Sequence, residues 1–253
     1  MNGQSADKSP RLDQLLVERG LFATRSRARD AIQRGTVKVD GKAVTKPGQT
    51  VARDCALAVD DPASAYVSRA ALKLIAALDH FNLDVEGRTA LDIGASTGGF
   101  TQVLLERGAK HVLAIDVGHD QLHESLRSDN RVTNREGVNA RALEFVHLDG
   151  RDVDCVVSDV SFISLKLALP PALAFAQKGA ICALLVKPQF EAGREAIGKG
   201  GILRDPAQGE RIAEELKSWL ETQPGWCALG LCPSPIEGGD GNREYLLAGK
   251  KNK

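Results

Sequence analysis

Short apolar runs that end in a charged residue recur through the last three quarters of the chain. Leu91-Asp92-Ile93 precedes a glycine turn, His111–Ile115 runs into Asp116, Cys155–Ser158 into Asp159, and Ala180–Val186 into Lys187. Runs this short read as buried strands, and the segments between them carry apolar residues at helical spacing, such as Leu74 with Leu78, and Ile212, Leu216 and Leu220 after Pro206. Strands alternating with helices predict an α/β fold, a Rossmann-like sheet with helices on both faces. Glu244–Ala248 reads as its last strand. The start of the chain follows a different pattern. Leu12, Leu15, Leu16 and Val17 form one helical stripe, Ala28, Ala31 and Ile32 a second, and Gly20 and Gly35 close the two helices. Val37–Val44 then alternates around Asp40-Gly41, the signal of a tight hairpin. A small α+β domain is therefore expected over residues 8–58, a connector over 59–65, and the α/β domain over 66–253.

Charge sharpens this division. The 253-residue chain has 33 Lys and Arg against 33 Asp and Glu, yet residues 8–58 carry a net +6 and residues 59–253 a net −5. Overall neutrality thus hides a basic module, as expected of a polyanion-binding appendage on a catalytic body. Arg25, Arg27, Arg29 and Arg34 fall off the apolar stripe of the second helix, which predicts guanidinium groups facing solvent. The five cysteines form no CxxC pair and read as reduced thiols, and His119 and His123 lack the glutamate of a zinc-binding helix, so no metal is expected. No apolar run approaches the ~18 residues of a membrane span, and the first residues lack a signal-peptide core. The expectation is a cytoplasmic protein without a membrane partner, and a monomer.

Gly94, Gly98 and Gly99 give the spacing GxxxGG between a strand and a helix. Dinucleotide sites use GxGxxG, in which the second glycine makes room for a pyrophosphate, and P-loops need G-K-[ST]. Neither is present. Asp92 suits a ligand bearing an ammonium and a sulfonium, and Asp116, 24 residues further on, is placed to accept ribose hydroxyls. Parallel strands present their carboxyl ends to one crevice, so Asp92, Asp116, Asp159 and Lys187 should meet there. A lysine at such an edge can serve as general base toward a sugar hydroxyl if desolvation, or a second cation such as Lys73, lowers its pKa.

Two resemblances give these features a function. Arg11-Leu12-Asp13, Leu16, Gly20, Ser26-Arg27, Ala31-Ile32, Gly35 through Gly41 and Lys46-Pro47 resemble the alpha-L RNA-binding module first known from a small-subunit ribosomal protein. That resemblance implies structured RNA as partner, with Arg11, Arg25, Arg27, Arg29, Arg34, Lys38, Lys42 and Lys46 as contacts. Lys73, Asp159, Lys187 and Glu244, within SRAALKL, VVSDVSFIS, LLVKPQFE and GNREYLL, resemble the K-D-K-E tetrad of the FtsJ-like ribose 2′-O-methyltransferases. With the basic module in front, the chain resembles the TlyA family of hemolysin-like ribosomal RNA methyltransferases. The resemblance implies Lys187 as base, Asp159 as its positioner, and Lys73 and Glu244 completing the electrostatic site. It also implies S-adenosylmethionine held by Gly94, Ser96, Gly98, Gly99, Phe100 and Asp116. Asn139 stands in for the adenine-contacting acid of the family. The implied substrate is a cytidine ribose of small-subunit ribosomal RNA, and in some members the large subunit as well, with ribosomal RNA or ribosomal subunits as partner. The alternatives are a non-catalytic RNA-binding or lytic protein, which would not bind the cofactor, and a nicotinamide oxidoreductase, which the glycine spacing disfavours. Residues 191–205, rich in glycine and charge, read as a mobile loop over the RNA-binding face.

Overall fold

Leu12, Leu15 and Leu16 lie on one face of helix α1 (Leu12–Glu18) and pack on Ala28, Ala31 and Ile32 of α2 (Arg25–Gln33). Thr24 caps α2, its hydroxyl accepting the Arg27 N–H at 3.3 Å. Strands β1 (Val37–Val39) and β2 (Lys42–Ala43) form the expected hairpin, and Asp40 and Gly41 both take positive φ, 49° and 78°, as a type I′ turn requires. A third strand, β3 (Leu57–Val59), pairs with the other edge of β1. Three residues are too few for alternation to reveal it in the sequence. The computed structural model describes residues 9–239 and 241–253, and the chain divides into two compact units at Ala65/Tyr66. The segment expected to be a connector belongs to the first unit. It forms a 3-10 turn over Pro62–Ala65 next to Asp61, which is buried and ion-paired to Arg34.

The second unit starts with α3 (Ala71–His80), β4 (Thr89–Ile93), α4 (Gly99–Glu106) and β5 (His111–Ile115). It continues through α5 (Glu124–Arg127), β6 (Val132–Arg135), β7 (Val153–Ser158), α6 (Leu165–Ala168), α7 (Pro170–Phe175) and β8 (Ala176–Val186). Helix α8 (Ala207–Thr222), β9 (Trp226–Pro233) and β10 (Tyr245–Lys251) complete it. The seven strands lie in the order β6-β5-β4-β7-β8-β10-β9, with β4 to β8 parallel and β10 antiparallel to both of its neighbours. Period-two alternation splits the core between the two faces. Ala90 packs with Leu74 of α3 and Leu104 of α4, while Leu91 and Ile93 pack with Leu169, Leu216 and the other α6–α8 side chains. The chain leaves β4 for β5 and β6 on one side and returns to β7 on the other. This switch opens a crevice at the carboxyl ends of β4, β5 and β7.

Candidate active site

The turn after β4 is shaped by what its residues lack. Gly94 has φ 83°, and a Cβ there would lie 3.0 Å from the Asp159 carbonyl oxygen, so only glycine lets this turn approach the end of β7 so closely. Ser96 also takes positive φ, 48°, and its N–H donates to Asp116 Oδ2 at 2.7 Å. Asp116 Oδ1 accepts the Gly118 N–H at 2.7 Å. The β4 and β5 ends are thereby tied together through one carboxylate, which keeps lone pairs for a ligand. Across the turn, the Ser96 hydroxyl donates to Gln121 Oε1 at 3.1 Å. Glu136 holds the Gln121 loop by accepting the N–H groups of Leu122, Asp120 and Gln121 at 3.2, 2.7 and 2.9 Å. These donors, Leu122 foremost, outweigh the burial penalty and bring its carboxyl down to about 2. Gln121 and Glu136 lie in polar stretches without periodicity, where the sequence offers no signal for them.

Two adjoining cavities occupy the crevice. One, of about 500 Å³, is lined by Gly94, Ser96, Asp116, Gln121, Asn139 and Phe162, among others. A second, of about 150 Å³, is lined by Ser68, Gly99, Phe100 and Lys187, among others. Gly94, Ser96, Asp159 and Ser161 belong to both. Asn139 reaches the larger cavity while its Oδ1 accepts the Arg141 N–H at 3.0 Å. Asp92 lines neither. Strand parity turns it to the α4 face, where it is fully buried and Oδ2 accepts the Thr101 hydroxyl at 2.7 Å. Burial, with the charges of Asp159 and Asp116 adding to it, pushes its carboxyl up to about 7 against the Thr101 hydrogen bond. The expected direct contact with a ligand is therefore replaced by a position beneath the turn. Gly98 likewise lines neither cavity. It sits at φ 98° ahead of α4, where a Cβ would fall 2.8 Å from Leu122 Cδ1 and collide with Leu126.

The four charged residues of the tetrad form two ion pairs. Lys187 Nζ lies 2.5 Å from Asp159 Oδ1 and donates to Ser161 Oγ at 2.8 Å, at the wall of the smaller cavity. Lys73 Nζ lies 2.5 Å from Glu244 Oε2, with side-chain exposures of 7% and 2%. Tyr245 is opposite Val186 in the β8–β10 register, so continuing the ladder puts Glu244 across from Lys187. The pairs are neighbours, one facing the cavity and one beneath. This changes the part expected of Lys73. With a carboxylate at 2.5 Å its charge is compensated, and it is not a free cation acting on Lys187.

Phe162, at φ 64° and 90% exposed, stands at the rim, its ring 5.0 Å from that of Phe190. The 191–205 segment is more ordered than its composition suggests. Glu191 accepts the Ser164 hydroxyl at 2.5 Å and the Leu165 N–H at 2.7 Å, and buried Asn242 bonds Leu203 N and Gly201 O. His123 uses Nδ1 at the start of α5, and among the described residues no group of three His, Cys, Asp or Glu side chains is arranged to hold a metal.

In the first unit the basic residues divide by burial. Arg29, Lys38, Lys42 and Lys46 are exposed. Arg11 and Arg25 are half in solvent and converge on Asp13, which burial pushes up but the two guanidinium groups hold below its usual range. Arg27 is partly buried and donates to the Ala63 carbonyl at 3.2 Å. Arg34 is the exception to the expected solvent-facing set: its side chain is only 15% exposed and is spent on Asp61 at 2.8 Å. The pull of a buried carboxylate outweighs helix-face position there.

The FtsJ-like methyltransferase model matches residues 66–251, and the S4 domain model matches residues 10–54. The chain belongs to the FtsJ-like methyltransferase family. The 16S/23S rRNA (cytidine-2′-O)-methyltransferase TlyA of Mycobacterium tuberculosis is 46% identical over 94% of this chain and 88% of its own length. Hemolysin A of Brachyspira hyodysenteriae is 41% identical over 93% and 98%. A solved structure from Streptococcus thermophilus, provisionally described as a hemolysin, superposes with a TM-score of 0.74 at 42% identity, covering 98% of this chain and 90% of that one. The methyltransferase fold implies use of S-adenosylmethionine, and the S4 domain implies RNA as partner. No helix among the described residues is long and apolar enough to cross a membrane.

Proposed function

We propose that this protein transfers the methyl group of S-adenosylmethionine to the 2′ oxygen of a cytidine ribose in ribosomal RNA. The observation that carries the reading is the Lys187–Asp159 pair where the two cavities adjoin, Asp159 lining both and Lys187 the smaller one. The larger cavity suits the adenosine half of the cofactor. Its volume, the glycine cradle at Gly94 and the carboxylate of Asp116 match a nucleoside without phosphates. Gly94, Ser96, Asp116 and Asn139 would hold that half, and Gly99 and Phe100 the wall of the smaller cavity; bound there, the cofactor supplies an activated methyl group on a sulfonium.

The protein's own task is then alignment and deprotonation. Lys187 Nζ takes the proton of the 2′ hydroxyl, and Asp159 stabilises the ammonium that forms. Lys73 and Glu244, neutral as a pair, supply a rigid floor without net charge. Phe162 offers a face on which an unstacked base can lie. The exposed cations of the first unit bring structured RNA to this site through its phosphates. A ribosomal RNA substrate also sets the work in the cytoplasm.

The test is Lys187→Ala assayed on ribosomal subunits with labelled S-adenosylmethionine, with 2′-O-methyl mapping in both subunits. Cofactor affinity by titration calorimetry should stay within about threefold while transfer falls by about a hundredfold or more. Full transfer by the variant, or absence of cofactor binding by the native protein, would refute the reading, the second in favour of a non-catalytic role.

A further inference from the structure

Lys187 Nζ has two polar neighbours of different kinds, besides the Phe190 ring whose centroid is 6.0 Å away. Asp159 Oδ1 is 2.5 Å away, yet among the described residues that oxygen accepts no well-aligned hydrogen bond. Ser161 Oγ, at 2.8 Å, does accept one from Nζ. Charge attraction has no preferred angle, whereas a hydrogen bond weakens steeply off line. Asp159 therefore decides where the amine sits, and Ser161 decides how it is turned.

We propose that Ser161 is a positioning residue for the base, fixing rotation about the Cε–Nζ bond so that the free lone pair of Lys187 faces the cavity; this rests on the reading of Lys187 as base. A neutral lysine amine carries two N–H groups and one lone pair. Holding one N–H on Ser161 denies that direction to the lone pair and leaves it for the substrate hydroxyl. A neutral acceptor suits the task, because a second carboxylate would hold the ammonium too firmly for it to act as base.

The surroundings hold this acceptor still. Val160 is buried in the core beneath α6 and α7, and the Asp159 N–H bonds the Ile93 carbonyl at 3.1 Å, so the arch springs from a fixed base. Phe162 turns the chain with a φ of 64°, costly for a residue with a Cβ, immediately after Ser161. Glu191 then clamps Ser164 and Leu165, and Glu191 itself follows the 3-10 turn that starts beside Lys187. Donor and acceptor are thus tied into one frame, unlike an ordinary exposed serine whose place water can take.

The test compares Ser161→Ala, Ser161→Thr and Lys187→Ala in the full-length protein. Ser161→Ala should lower kcat by about 10- to 100-fold, the cost of a misaligned reacting group. Its melting temperature should match the native protein, since Ser161 is exposed, and its cofactor affinity should stay within about threefold, since the cavity lining loses only one hydroxyl. The rising limb of its pH–kcat profile should move to lower pH, because the ammonium loses an acceptor that favours it. Ser161→Thr, which keeps the hydroxyl, should retain kcat within about threefold. If Lys187→Ala is inactive and Ser161→Ala keeps the native kcat and pH profile, the inference fails and the base stands. A loss in Ser161→Ala confined to cofactor affinity also overturns it, while an active Lys187→Ala overturns the base assignment itself.

Discussion

Replacing Glu244 by alanine removes one half of an ion pair that is almost wholly out of water. Its partner Lys73 is 7% exposed, and in the native structure its ammonium donates to Glu244 Oε2. The variant leaves that charge without its carboxylate in a site flanked by Ala71, Leu74 and Ala77 on the same helix. Breaking a buried pair by removing one partner costs about 3–5 kcal/mol, most of it the uncompensated charge and not the net worth of the pair. At about 2–4 °C per kcal/mol for a domain of this size, the melting temperature of the second unit should fall by roughly 6–20 °C. Differential scanning calorimetry at pH 7.5 reads this directly. The double variant Lys73→Met with Glu244→Leu removes both charges while keeping apolar volume, and should recover most of the stability. Transfer activity in the double variant separates a structural floor from a chemical part, since recovered stability with lost transfer means the charges serve the reaction. A fall of under about 1 kcal/mol in Glu244→Ala, or a double variant as unstable as the single one, would refute the claim that desolvation dominates this pair.

Three further predictions concern Asp92, Arg34 and Arg29. Asp92 has a folded pKa of about 7, above the ordinary carboxylate value, so the native state holds a proton that the unfolded chain has released between about pH 4 and 7. Its effect is destabilising as pH rises through that window and complete above about pH 7; chemical denaturation should therefore show native stability falling relative to Asp92→Asn between about pH 4 and 7, by on the order of 1–4 kcal/mol, and parallel pH profiles would contradict the assignment. In the first unit, Arg34→Ala should destabilise by about 3 kcal/mol because Asp61 is left buried and unpaired, whereas Arg29→Ala should leave stability within about 0.5 kcal/mol. If Arg29 meets a phosphate, filter binding to ribosomal RNA should show the slope of log affinity against log salt falling by about one in Arg29→Ala, and an unchanged slope would remove it from the RNA face.

Much of the fold was written in local pattern. The strands β4, β5, β7 and β8 are apolar runs flanked by turn residues, and parallel sheet geometry then dictates that Asp116, Asp159 and Lys187 gather at one edge. The hairpin at Asp40-Gly41 and the turn at Gly94 were legible because positive φ restricts residue choice. Elements whose signal is shared with distant partners were not. Strand β6 reads Val-Thr-Asn-Arg and is partly buried throughout, so its identity rests on pairing with β5 and not on its own alternation. Strand β9 is held by β10 across a bulge at Ala248/Gly249, which disrupts the period that would reveal it.

The sequence by itself determined which chemistry was available: a glycine turn without the spacing that makes room for a pyrophosphate, acids and a lysine at strand ends, and a basic module in front. Those are local or periodic properties. Only the tertiary structure decided how the charges were used. It paired Lys73 with Glu244 across 171 positions, spent Arg34 on Asp61, turned Asp92 away from the cavity and set Ser161 against Lys187. An ion pair or a directed hydrogen bond depends on distance, burial and angle in three dimensions, and none of these is carried by the spacing of residues along a chain.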